Sequence, residues 1–118
     1  MAAPVYICST DLALSDSLVT LIGAHGIEAE PKRGRLSGIK CGEDQTIIID
    51  LESDAENLYR DIDLLLNRAD SPRLILLAGN RHGFDSTDSF DRGRVELLLP
   101  PIDPRQIVAC LQKALVSP

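Results

Sequence analysis

Thr46-Ile47-Ile48-Ile49-Asp50 is an unbroken aliphatic run of β-branched residues closed by a carboxylate. A strand with one wet face alternates apolar and polar side chains, so a run without that alternation belongs in a sheet covered on both faces. Val5 to Cys8, Leu74 to Leu77 and Val95 to Leu99 have the same short aliphatic character, and Ile27 to Glu30 is a weaker fifth candidate.

Helical patterns lie between these runs. Leu14, Leu18, Leu21 and Ile22 share one face of a first helix, with Gly26 as its stop. Ser53 and Glu56 stand at capping-box spacing before Leu58, Tyr59, Ile62, Leu65 and Leu66. A third helix opens Asp103-Pro104-Arg105-Gln106, an N-cap followed by proline at the first helical position, and carries Ile107, Cys110, Leu111, Ala114 and Leu115. Strand then helix, repeated, predicts parallel strands joined by right-handed crossovers in an open α/β sheet. Two connections fit that scheme poorly. Residues 31–45 contain Gly34, Gly38 and Gly42, residues 80–92 offer only Phe84 and Phe90 as an apolar face, and both are expected to be irregular or mobile.

The chain has 118 residues, the length of one domain with its own core. Only 3% are aromatic and none is Trp, so that core must be aliphatic. A net charge of −6 repels nucleic-acid phosphates and anionic membranes, and the scarcity of aromatics removes base-stacking platforms. No apolar run approaches the ~20 residues of a membrane span, and no secretory leader is expected. Cys8, Cys41 and Cys110 are odd in number and lack CxxC spacing, which favours reduced thiols and a cytoplasmic location.

Ligands of an open parallel sheet collect at the carboxyl ends of its strands. Those ends hold Ser9, Thr10 and Asp11, then Asp50, then Ala78 and Gly79, then Pro100 and Pro101. A strand-ending Asp50 can accept a phosphoryl group or bind a divalent cation, though capping a helix is the simpler role for such an aspartate.

The order and spacing of these elements resemble the receiver (CheY-like) domains of bacterial two-component response regulators. Leu97 to Ile107 looks like the family's fifth strand, Lys-Pro turn and last helix, and Thr46 to Asp50 like the strand carrying its phosphoacceptor aspartate. The resemblance spans the whole chain, residues 1–118, as a single receiver-like domain. It implies a flavodoxin-like (βα)5 fold, an open parallel five-stranded sheet with irregular second and fourth helices.

Departures from the family pattern shape the expected function. The two acidic residues that hold Mg²⁺ after the first strand correspond to Ser9 and Thr10, with Asp11 one place further on. Hydroxyls are weak ligands for Mg²⁺, and Asp11 is better placed to cap the first helix. The family's lysine falls on Pro100, its switch Thr or Ser on Ala78, and its switch aromatic on Leu97. Phosphoryl transfer to a carboxylate relies on such groups to neutralise transition-state charge. The sequence is similar to a degenerate receiver, or pseudoreceiver, expected to signal by protein contact rather than by conventional Mg²⁺-dependent aspartyl phosphorylation.

No cofactor is then expected. Partners implied are a histidine kinase, a phosphotransfer protein or another regulator, with homodimerisation open and no direct nucleic-acid or membrane contact. Phe84, Phe90, Leu97 and Gln106 mark the candidate interaction surface. The alternative is a working phosphorelay receiver in which Asp50 accepts phosphate with Mg²⁺, assisted by Asp11 and Glu52.

An enzyme with Cys8 or Asp50 as nucleophile lacks a supporting constellation, since no Arg lies between Ser9 and Leu18 to bind a phosphate after Cys8. Cys8 and Cys110 read as core, and Cys41 as the thiol expected to be exposed. His25 and His82 lack partners at metal-ligand spacing, and His82 reads as part of a solvated loop. Lys32, Arg33, Arg35 and Lys40 form a basic cluster read as a hydrated turn, with an acidic docking partner as the functional alternative.

Overall fold

The computed structural model describes residues 4–32, 45–51, 58–67, 72–77, 95–98 and 103–116. Its strands are β1 (Val5–Cys8), β2 (Ala29–Pro31), β3 (Thr46–Asp50), β4 (Arg73–Leu77) and β5 (Val95–Leu98). The helices are α1 (Leu12–Ala24), α2 (Leu58–Leu66) and α3 (Pro104–Val116). All five strands join one sheet in the order β2-β1-β3-β4-β5, and every pairing is parallel. With helices on both faces this is the flavodoxin-like arrangement expected of the sequence.

Side chains alternate between the faces of a strand, so an all-aliphatic strand feeds two cores. Ile47 and Ile49 meet Leu74 and Leu76 against Ile62 and Leu65 of α2. Ile48 points the other way and joins Val5, Ile7, Ile75 and Leu77 against Leu18 and Ile22 of α1 and Ile107 and Leu111 of α3. Ile47, Ile48 and Ile49 are all fully buried. The uninterrupted run is therefore a consequence of β3's central place, with helices on both sides of it.

The second strand lies later than the apolar residues suggested, at Ala29–Pro31 rather than Ile27 to Glu30. The exit from α1 explains the shift. Gly26 adopts a left-handed φ of 78°, which a residue with a Cβ disfavours. The Ile27 N–H then reaches back to the Ile22 carbonyl at 3.3 Å, and the Gly26 N–H to that of Gly23 at 3.0 Å. These bonds form a Schellman closure in which Ile27 packs on the cluster containing Ile22. Ile27 thus serves the helix end, and pairing with β1 begins after it. Pro31 is tolerated because β2 lies at the edge of the sheet. Glu28 and Lys32 bond to Val5 and Ile7 of β1, so by alternation the Pro31 nitrogen faces away from that ladder.

Both helices on the α1/α3 side start as their sequences predict. Asp11 is the N-cap of α1, its Oδ1 accepting from the Ala13 N–H at 3.1 Å and the Leu14 N–H at 3.2 Å. At α3, Asp103 Oδ1 accepts from the Arg105 N–H at 2.9 Å, and Gln106 Oε1 accepts from the Asp103 N–H at 3.2 Å. The Gln106 contact is the back-reaching half of a capping box, while the Asp103 side chain caps the N–H two residues on. The expected start of α2 at Ser53 and Glu56 lies outside the described residues, as do 33–44, 78–94 and Leu99. Among the described residues, no helix is long and apolar enough to cross a membrane.

Candidate functional site at the carboxyl end of β1 and β3

Strand order reverses between β1 and β3, since the chain runs from β1 outward to β2 and from β3 outward to β4 and β5. A crevice at such a reversal is where this architecture binds its ligands. The register pairs Cys8 with Ile49, which sets the next residues, Ser9 and Asp50, side by side. Alternation places both toward the α1/α3 side, Ser9 after Val5 and Ile7, Asp50 after Ile48.

Ser9 Oγ donates to Asp50 Oδ2 at 2.7 Å. Asp50 is only 8% exposed, and a carboxylate so buried is costly without hydrogen bonds. The serine supplies one, of the short charge-assisted kind. Its hydroxyl is itself held in aim, because Ser9 Oγ accepts from the Asp11 N–H at 3.0 Å. A continuous chain of contacts thus runs from the end of β3 through Ser9 to the N-cap of α1. Asp50 and Thr10 also have further interaction partners.

The structure brings Ser9, Thr10, Asp11 and Asp50 to one edge of the sheet, with Thr10 and Asp11 exposed. Ser9 touches Asp50, whereas the Asp11 carboxylate oxygen Oδ1 is turned to the first N–H groups of α1. Leu97 lies in β5 opposite Leu76. Gln106 is exposed in the first turn of α3 and spends its side-chain oxygen on the Asp103 N–H. Ala78, Phe84, Phe90, Pro100 and Glu52 fall outside the described residues. Among the described residues, no group of three or more His, Cys, Asp and Glu is gathered to hold a metal ion.

Cys8 and Cys110 are each half-buried, against a different core cluster, and each has an interaction partner. His25 is the C-cap of α1, with Nδ1 3.0 Å from the Leu21 carbonyl oxygen. Lys32 Nζ lies 3.5 Å from Glu30 Oε2 and 4.5 Å from the centre of the Tyr6 ring, so this member of the basic cluster is engaged locally. Cys41, His82, Arg33, Arg35 and Lys40 are outside the described residues.

Among the described residues, a second buried carboxylate besides Asp50 escaped the sequence reading. Asp61 of α2 is 2% exposed and, like Asp50, has interaction partners. The signal was its helical position, beside Ile62 and four residues before Leu65 on the buried face. A reading that follows only apolar residues passes over it.

No protein-family model matches the chain, and no curated protein matches it by sequence. Solved structures match it in shape. A response regulator from Colwellia psychrerythraea superposes with a TM-score of 0.73 at 19% identity, over 96% of this chain and 96% of that one. The chain has the fold of a response-regulator receiver. An adenylate cyclase from Rhodopirellula baltica gives a TM-score of 0.73 at 15% identity, over 97% of this chain and 87% of the other. A candidate pilus assembly protein from Burkholderia thailandensis gives 0.71 at 18% identity, over 95% and 97%. Proteins with three different names thus share the sheet, and at such identities the likeness establishes fold alone.

Proposed function

We propose that this chain is a receiver-like signal-transduction module that works by binding a protein partner, without conventional Mg²⁺-dependent aspartyl phosphorylation. The observation that carries the reading is the Ser9 to Asp50 hydrogen bond. Where the family resemblance expects the first acidic ligand of a cation, a neutral hydroxyl donates into the acceptor carboxylate instead. Mg²⁺ gives up water reluctantly and is held chiefly by carboxylates. At this edge it would meet Asp50 already bonded to Ser9, and Asp11 already committed to capping α1. That donor set does not suit Mg²⁺. Phosphoryl transfer depends on positioning and charge neutralisation, so the carboxylate alone is a poor acceptor.

The whole chain, read as one such domain, then acts through its surface rather than through chemistry. The partner is a histidine kinase, a phosphotransfer protein, another regulator or a second copy, docking on β5, α3 and the segment containing Phe84 and Phe90. An acidic chain is a poor ligand for nucleic acid, which favours a protein partner.

NMR amide shifts during titration with Mg²⁺ and beryllofluoride, comparing wild type with Asp50→Ala, test the reading. We expect no saturable shifts around Asp50. Saturable shifts that disappear in the variant would overturn the proposal in favour of Asp50 as a working phosphoacceptor, the reading its place at the strand reversal otherwise favours.

A further inference from the structure

We propose that Ser9 is a built-in counter-ligand for Asp50, a hydroxyl that satisfies the buried carboxylate in place of a divalent cation and couples the end of β3 to the start of α1. This inference rests on the preceding reading of the site and assigns Ser9 the role of determining it.

A hydroxyl has one hydrogen to give and two lone pairs to accept with. At Ser9 the hydrogen goes to Asp50 Oδ2 and one lone pair takes the Asp11 N–H, so the group cannot rotate away without losing both bonds. Asp11 is fixed in turn by its own carboxylate on the Ala13 and Leu14 N–H groups. Each link depends on the next. Ser9 is partly shielded and Asp50 buried, which raises the worth of a bond to a charged group above that of an exposed one. A carboxylate at position 9 would reverse the situation. Two carboxylates at such a separation repel and do not both ionise readily, unless a cation lies between them. The hydroxyl thus contributes to the stability of this edge, beside the other partners of Asp50, and underlies its indifference to divalent ions.

Thermal melts of the full chain, with and without millimolar MgCl₂, test the proposal. Ser9→Ala should lower Tm by roughly 5–10 °C in the wild-type background, the size expected for loss of a hydrogen bond to a buried charge in a domain of this length. The same change made on top of Asp50→Ala should cost much less, and Ser9→Thr, which keeps the hydroxyl, should retain most of the stability. Ser9→Asp should melt low without MgCl₂ and rise when it is added, whereas the wild-type Tm stays constant. Equal losses from Ser9→Ala in both backgrounds, or a Ser9→Asp Tm that ignores MgCl₂, would overturn the proposal. If Ser9→Ala fails to fold, the Asp50→Ala pair and the Ser9→Thr and Ser9→Asp melts decide it. Failure here would leave the wild-type beryllofluoride titration flat, while failure of the functional reading would appear in that titration itself.

Discussion

Helices α1 and α3 both begin at an aspartate, press on the same side of the sheet and share one aliphatic cluster. Their starts are wired differently. Around Asp103 each hydrogen bond spans two or three residues, a self-contained turn made by Arg105 and Gln106. Around Asp11 the cap continues through Ser9 to Asp50, a contact between residues 41 apart in sequence. A local cap fixes where a helix begins. One joined to a neighbouring strand also fixes where the helix start sits relative to the end of that strand, which is what a site at the strand reversal requires.

The largest effects should come from the cluster on which both helices rest, since caps orient helices and apolar burial holds them. Ile22 of α1 is fully buried and Leu111 of α3 is 1% exposed. Ile22→Ala and Leu111→Ala should each lose about 2–5 kcal/mol in urea unfolding, as buried aliphatic truncations do. A cost below ~1 kcal/mol for either would mean that its helix is not docked by the shared cluster, and the comparison of the two starts would lose its common base.

The caps themselves come next, and they should separate the two helices. Asp103→Ala removes a local cap and should cost about 1 kcal/mol. Asp11→Ala should reach about 2 kcal/mol, the upper end for a cap, because fraying the first turn of α1 also loosens the N–H that holds Ser9. Amide shifts near Asp50 should move in Asp11→Ala and stay put in Asp103→Ala. Equal responses at Asp50 would erase the distinction between a wired and a self-contained start.

The same contrast explains what was legible in the sequence. Asp103-Pro104 and Asp11 announce their helices because capping acts over three residues, and Thr46 to Asp50 announces a doubly covered strand because face alternation is local too. That five strands make one open parallel sheet followed from the alternation of strand and helix and from the family resemblance, whereas periodicity alone does not say which strands are neighbours. Ser9 and Thr10 were found as the positions where a receiver-like chain lacks its acids. That Ser9, rather than Asp11, reaches Asp50 was not legible, because it depends on the Cys8 to Ile49 register and on which face each strand end presents. The start of β2 was misplaced for a related reason: Ile27 looks like a strand residue but is consumed by the end of α1.

The smallest effect concerns charge at the self-contained start. Arg105 holds the Asp103 carboxyl below its ordinary value of 3.8, chiefly through side-chain hydrogen bonds and secondly through its backbone N–H. A carboxylate with a depressed folded pKa contributes stability that is complete above the unfolded value and is lost as pH falls through the folded one. The loss should therefore begin below about pH 4. The pair is open to solvent, with the Arg105 side chain 90% exposed, so the stability involved is small and salt should weaken it. Following the Asp103 side-chain carbon by NMR as pH is lowered, Arg105→Ala should bring its midpoint part of the way back up, because the backbone N–H remains to bond the ionised form. Asp50→Ala should leave that midpoint where it is. A shift in the second variant would show that the start of α3 senses the strand reversal after all, and that the two helix starts are less independent than their hydrogen bonds imply.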